Sequence, residues 1–427
     1  MSGRSLLPAL LSLVAACRSG PVPMPPAMPK KAGAEDAEQL PLGSSPRRAE
    51  LLTVRQGEIV RTLDGQRLTV PVLLGELGAA EVVLVGESHA HREHHAIEAQ
   101  LLDGLGALRP GAWALGLEMF PRSKQPWLDR WVAGELEEQA FVRQVDWYTV
   151  WGFDWRYYRE LLLVARARRI PVIGLNAEAA LVRRVGRGGV QGLSPDERAT
   201  LPALDLGSGD HRRLFRALLG LPASGGPAVI GHGGHGGDGG HGGDPHRRLF
   251  ENMLEAQVLR DTFMAETARA FLEGAGRGKQ LLVVAGSGHV LFGLGINGRL
   301  GAAVPALRQR TVICDAMPTE RPAEGHRVSA GLGDVVWGTA PEGRAVRYPS
   351  LGARLEDASL RVAAVSPHGA ASGKVEPGDQ LLALDGKLLG DVFDLRWALQ
   401  QKDWGDRAQL RVRRAGAELE LGLEFRR

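Results

Sequence analysis

Short apolar runs that stop at glycine or at a polar residue alternate along this chain with stretches whose apolar positions recur at helical spacing. The run Glu81-Val82-Val83-Leu84-Val85 ends at Gly86. That is the pattern of a buried parallel strand, which has no solvated side on which to place polar residues. Ile97, Leu101, Leu102 and Leu105 follow on one face of a helix. The unit then repeats. Trp113–Leu117, Ile170–Leu175, Gln280–Ala285 and Thr311–Cys314 read as further strands, with long amphipathic helices such as Trp155–Arg168 and Phe250–Leu272 between them. Strands alternating with helices predict an α/β fold over 49–320, a mostly parallel sheet flanked by helices. From about Leu351 the texture changes to a half-alternating run, Leu360–Val365, and turns at Gly378 and Gly386. A helix from about Asp391 to Gln400 and a hairpin, Ala408–Val412 with Glu418–Phe425, complete a small β-rich domain over 346–427, leaving 321–345 as a linker.

The first residues follow another pattern. Arg4 precedes a short apolar stretch, Leu6–Ala16, that ends in small residues immediately before Cys17. This resembles a bacterial lipoprotein signal over 1–17, with cleavage before Cys17 and lipidation of its thiol; an ordinary secretory signal is the bland alternative. Acyl chains would anchor the protein without a spanning helix. Neither Arg18 nor Ser19 is the aspartate that marks inner-membrane retention, so the resemblance implies the outer membrane. Residues 18–48, rich in Pro, Ala and charge, read as a disordered tether.

Composition narrows the picture. The 427 residues, 44% hydrophobic and 24% charged, suffice for two or three domains. No apolar run reaches the ~18 residues of a spanning helix, which excludes a polytopic membrane protein. A formal charge of +3 without a basic stripe argues against a nucleic-acid partner. Two cysteines, Cys17 and Cys314, exclude a disulfide scaffold, and Cys314 in its apolar run reads as a small buried hydrophobe.

Polar residues gather at the carboxyl ends of the predicted strands: Glu87 and His89 after the first, Glu118 after the second, Asn176 after the third and His289 after the fourth. In an open α/β sheet the ligand crevice lies there. Glu87, His89, Glu118 and His289 therefore form a candidate divalent-metal or His/Glu acid–base site, whereas capping of the following helices, through Ser88 or Ser287, is the structural alternative. Just beyond, His91/His95 and His94/Glu98 stand one turn apart on a helix, a spacing that suits either a chelated metal or an exposed polar face. A His/Gly-rich insert, 225–246, contains His232, His235 and His241; it reads as a disordered loop whose imidazoles capture metal or haem iron.

Several of these stretches together resemble the ChaN family: Val85-Gly86-Glu87-Ser88-His89, Leu117-Glu118-Met119-Phe120, Asp154-Trp155-Arg156-Tyr157-Tyr158, Ile170–Asn176, Ala256–Asp261 and Ala285-Gly286-Ser287-Gly288-His289-Val290. The resemblance, from Leu51 to Met317, implies a haem-binding, iron-regulated bacterial lipoprotein within a wider Tiki-like group that includes metal-dependent proteases and hydrolases. It also implies haem as cofactor, with Tyr158 and Asn176 as candidate cofactor contacts. In the hydrolytic alternative, His89 and His289 hold a divalent metal and Glu87 or Glu118 acts as general base. The C-terminal module is similar to bacterial PDZ domains through Val375-Glu376-Pro377-Gly378-Asp379 and Leu384-Asp385-Gly386. This implies a peptide or protein partner captured on an open sheet edge. The expectation is thus a lipid-anchored protein for haem-iron uptake or storage, with metal-dependent hydrolysis as the alternative and an inactive scaffold as a third reading.

Overall fold

The computed structural model describes residues 34–222, 245–343, 348–357 and 359–426. The chain divides into two compact units, one of residues 1–137 and 144–343 and one of residues 138–143 and 344–427. The first contains β1 (Leu51–Val54), β2 (Ile59–Arg61), β3 (Arg67–Leu68), β4 (Val82–Glu87), β5 (Trp113–Pro121), β6 (Val172–Asn176), β7 (Gln280–Gly286), β8 (Gln309–Ala316), β9 (His326–Ser329) and β10 (Val335–Thr339). Eight of these form one sheet in the order β3-β2-β10-β8-β4-β7-β5-β6. The strands from β10 to β6 are parallel. At the other edge β2 and β3 are antiparallel, and β1 pairs with β9 in a separate ribbon.

The apolar runs become strands because both sides of the sheet are covered. Val82 and Leu84 share a core with Met264, Ala265 and Ala268 of the helix Pro245–Glu273. Val83 and Val85, which alternate to the opposite face, are just as fully buried. From β4 the chain passes to β5, two positions away, and only later returns to place β7 between them. That switch in strand order opens a crevice at the carboxyl ends of β4, β7 and β5.

All five strands expected from apolar runs are present, and Cys314 is buried on β8. Two boundaries differ from expectation. Residues 321–345 are not simply a linker: β10 is the sixth parallel strand, in register with β8 from Val335 opposite Val312 to Thr339 opposite Ala316. Its run Val-Val-Trp-Gly-Thr is short and apolar like the others, but no helix separates it from β9. Nor does the tether extend to 48, because Ala37, Leu40 and Leu42 are buried in the α/β core. The rest of the tether, through residue 33, and most of the His/Gly insert, 223–244, lie outside the described residues.

The second unit has β11 (Ala353–Leu355), β12 (Val362–Val365), β13 (Gln380–Leu384), β14 (Lys387–Leu388), β15 (Arg407–Arg414), β16 (Ala417–Glu424) and the helix Val392–Gln400. Its core gathers Leu360, Leu381, Leu395, Leu410 and Phe425. Two sequence signals are explained locally. Asp385 and Gly386 both have positive φ, as a tight hairpin between β13 and β14 requires. Asp379, after Gly378 at φ +93°, accepts a forked pair of 2.8 Å hydrogen bonds from Arg414 and holds the turn through the Glu376 amide. No helix among the described residues is long and apolar enough to cross a membrane.

The β1/β9 ribbon is tied to the main sheet by His326, whose Nδ1 lies 3.0 Å from each oxygen of Asp315 on β8. Burial disfavours the imidazolium, but hydrogen bonds to Asp315 and Asp36 outweigh it and push His326 up to about 10. The unfolded value is ~6.5, so folding takes up a proton. This stabilisation is complete below the unfolded value and is lost as pH rises through about 10. Thermal unfolding measured from pH 7 upward should therefore lose stability more steeply in the parent than in His326→Gln.

Candidate functional site

The last residue of β4, Glu87, is paired with Gly286 at the end of β7. On β5 the ladder to β7 stops at Leu117, and the pairing with β6 breaks register just after it. Glu118 is the first residue past the ladder, and its Oε2 accepts the Gly286 amide at 2.7 Å. Three adjacent strands thus deliver Glu87, Glu118 and the Gly286-Ser287-Gly288-His289 turn to one place. Asn176, at the end of β6, donates to the Glu118 carbonyl at 3.0 Å and accepts from the Ala177 amide. Its side chain fixes the neighbouring strand ends.

Four expected residues, Glu87, His89, Glu118 and His289, do converge, and they form two halves on either side of Gly286. In the first half, His89 Nδ1 and Glu87 Oε1 are 2.5 Å apart, and Tyr158 donates its hydroxyl to the same oxygen at 3.0 Å. The His89 ring stands edge-on to Trp151 and Phe153, with centroids at 4.7 and 5.0 Å. The aromatic cluster from Trp147 to Tyr158 therefore walls His89 as well as filling the core. Burial opposes protonation of His89, but the Glu87 charge prevails and raises its pKa. Tyr158 is buried beside Glu87, which holds its phenol well above the usual range and so protonated.

In the second half, Glu118 forms a short ion pair with Arg260 and faces His289 Nε2 at 3.3 Å. His289 Nδ1 is 2.5 Å from Asp261 Oδ1, and His211 Nε2 approaches the other Asp261 oxygen at 3.4 Å. Burial would raise Glu118, yet His289 and Arg260 hold it well below the usual carboxylate range. Burial would likewise lower His289, but Glu118 and Asp261 leave it raised. A carboxylate-backed imidazole beside an ionised carboxylate can carry a proton; Glu118 itself, locked in its charged form, is a poor base.

Two glycines are required by close approach. A Cβ on Gly286 would stand 2.7 Å from His89 Cε1, and one on Gly295 would stand 1.9 Å from the His289 carbonyl oxygen. The His89 edge that Gly286 admits lies on the side of Glu118, which joins the two halves.

The histidines of the following helix depart from the exposed-face expectation. His91 lies before the helix Arg92–Leu108, and His91, His94, His95 and Glu98 are all buried, so they do not form an exposed polar face. His94 accepts the Ser88 amide on Nδ1 and donates from Nε2 to the Thr339 hydroxyl. Burial and the neighbouring histidines His91 and His95 keep it neutral. His95 turns into the site: its Nδ1 is 3.1 Å from Glu98 Oε2 and its Nε2 is 3.9 Å from Glu87 Oε2. Asp261, Arg260, His95 and Glu98 are site residues to which sequence reasoning gave no settled role. The adjacent charges Arg260-Asp261, in the middle of an otherwise amphipathic helix, were the available signal. Cys17, His232, His235 and His241 lie outside the described residues.

The family described as haem-binding uptake, Tiki superfamily, ChaN matches residues 73–300, and the PDZ domain family matches 349–424. Among solved structures, "Cofacial heme binding to ChaN of Campylobacter jejuni" is 17% identical, with a TM-score of 0.50, and covers 65% of this chain and 95% of that one. The erythromycin esterase EreC, solved as a mutant in its open conformation, is 10% identical with a TM-score of 0.38, covering 70% of this chain and 99% of that one. The type III effector HopBA1 is 12% identical with a TM-score of 0.37, covering 70% and 100%. No curated protein matches the chain.

Asp261→Asn removes the charge behind His289. The His289 pKa should fall, as read from its imidazole resonances in an NMR titration, while that of His89, in the other half, should stay within a few tenths.

Proposed function

The chain belongs to the haem-binding uptake family of ChaN type, in the Tiki superfamily, and carries a PDZ domain; on that premise we propose that it is a haem-iron lipoprotein acting in uptake or storage. The observation that carries this reading is the family match over more than half of the chain. Lipidation of Cys17 would anchor it at the bacterial outer membrane, and the PDZ domain would hold a peptide or protein partner by strand addition.

The buried cluster does not itself present a haem ligand. Tyr158 is 1% exposed with its hydroxyl bonded to Glu87, and the Asn176 amide is held between strand ends. An axial ligand must reach the iron from a surface open to the macrocycle. On this reading the haem lies on another face of the protein, and His232, His235 and His241 of the insert would supply further imidazoles for iron.

A second reading has its own support. His89 against Glu87 and His289 against Asp261 are two buried, carboxylate-backed imidazoles at the end of a parallel sheet. That is the equipment of general acid–base chemistry, and it favours hydrolysis with the imidazoles rather than Glu118 moving the proton. A divalent metal, when bound there, would supply an activated water.

Haemin titration of the full chain should give a saturable Soret band that persists in a version lacking residues 231–243. Loss of the band on that deletion would assign haem to the insert, and no band in either protein would overturn the haem reading. Cys17→Ala should abolish incorporation of labelled fatty acid and release the protein from the membrane fraction.

A further inference from the structure

We propose that Glu87, His95 and Glu98 form a binding site for one first-row divalent cation, separate from the Glu118–His289 half of the cluster. The proposal stands apart from the haem reading and needs no haem.

The donors come from two rigid elements. Glu87 ends β4, and His95 and Glu98 stand three residues apart, on one face of the helix Arg92–Leu108. One ligand atom from each of the three lies within 4.8 Å of the others. Metal–ligand bonds of ~2.0–2.2 Å require these atoms to draw in by about an ångström, a movement within reach of side-chain torsions.

Burial favours a cation here. Glu87, His95 and Glu98 are 2%, 3% and 0% exposed. Taking two carboxylates out of water costs several kcal/mol each unless charge and hydrogen bonds compensate. Here the compensation is incomplete, because Glu87 Oε2 and Glu98 Oε1 are both buried without a hydrogen-bond partner. The opposite oxygens are already engaged: Glu87 Oε1 accepts from Tyr158 and His89, and Glu98 Oε2 lies against His95 Nδ1. This division is what a metal site needs, with one oxygen fixed by its neighbours and the other left for the ion. His95 is oriented by the backbone: its Nε2–H donates to the His89 carbonyl at 3.3 Å, which leaves Nδ1, 3.1 Å from Glu98 Oε2, for the ion. In the metal-free protein the His95 imidazolium stands between the two carboxylates, and the cation replaces its Nδ1 proton.

One imidazole and two carboxylates suit Zn²⁺ or Mn²⁺. They do not suit Ca²⁺, which takes six to eight oxygens.

The test uses the full chain with His232→Asn, His235→Asn and His241→Asn, so that the insert cannot compete. After chelator treatment, equilibrium dialysis against Zn²⁺ and, separately, Mn²⁺ should give one bound equivalent and a raised Tm. Glu98→Gln should weaken binding at least ~10–100-fold and abolish the rise in Tm, whereas His289→Gln should keep the ion. Should Glu98→Gln fail to fold, the Co²⁺-loaded parent answers instead: its paramagnetic shifts should centre on His95. No bound cation, undiminished binding in Glu98→Gln, or shifts centred on His289 would each overturn the proposal.

Discussion

The Glu118 carboxylate is the constraint on which the α/β domain's site depends. Glu118 is fully buried just past the end of the β5–β7 ladder, so its carboxylate must be met entirely by protein. Glu118 is met by the Gly286 amide, the Arg260 guanidinium and His289. These come from a neighbouring strand, the long helix Pro245–Glu273 and the turn after β7. Removing one partner of such a buried pair costs ~3–5 kcal/mol, so the register of β5 against β7 and the seating of the helix are coupled through one side chain. Arg260 and Asp261 are adjacent on that helix, and between them they balance both Glu118 and His289.

Each half of the site follows the same rule with different parts. Around Glu118 the His289 imidazole is joined by the Arg260 guanidinium, whose charge is permanent, and the carboxylate stays ionised. Around Glu87 and Glu98 the positive charge comes from imidazoles, which can give up a proton and accept a metal instead. The contrast separates a fixed electrostatic clamp from an exchangeable one within one crevice.

Much of this was legible in the sequence because buried parallel strands announce themselves as apolar runs, and because Glu87, His89, Glu118 and His289 sit where those runs end. The strand Val335–Thr339 was hidden because no helix precedes it, and the ribbon strands because they are only four residues long. Ala37, Leu40 and Leu42 were hidden within a Pro-rich stretch whose composition as a whole cannot form a core, although three apolar side chains suffice to dock its end. Burial of His94, His95 and Glu98 was not legible, since a run of histidines and acids on a helix has the same pattern whether it faces water or a second layer of protein. Only the fold decides that, here in part by placing the end of β10 and the residue after it against the histidines: Thr339 receives His94, and the Ala340 carbonyl receives His91.

Gly286 gives the two halves their relation. It ends β7, pairs with Glu87 on one side and donates its amide to Glu118 on the other. Its lack of a side chain is what lets the His89 ring close against the strand, because a Cβ would meet that ring at 2.7 Å and Glu118 Oε2 at 3.6 Å. A methyl group there would push the imidazole away from Glu118 while leaving every charged residue in place. Proximity of the halves is therefore a property of the backbone, whereas their opposite charge states are a property of the side chains. The crevice needs both, since an imidazole that carries a proton is of use to an ionised carboxylate only when nothing stands between them.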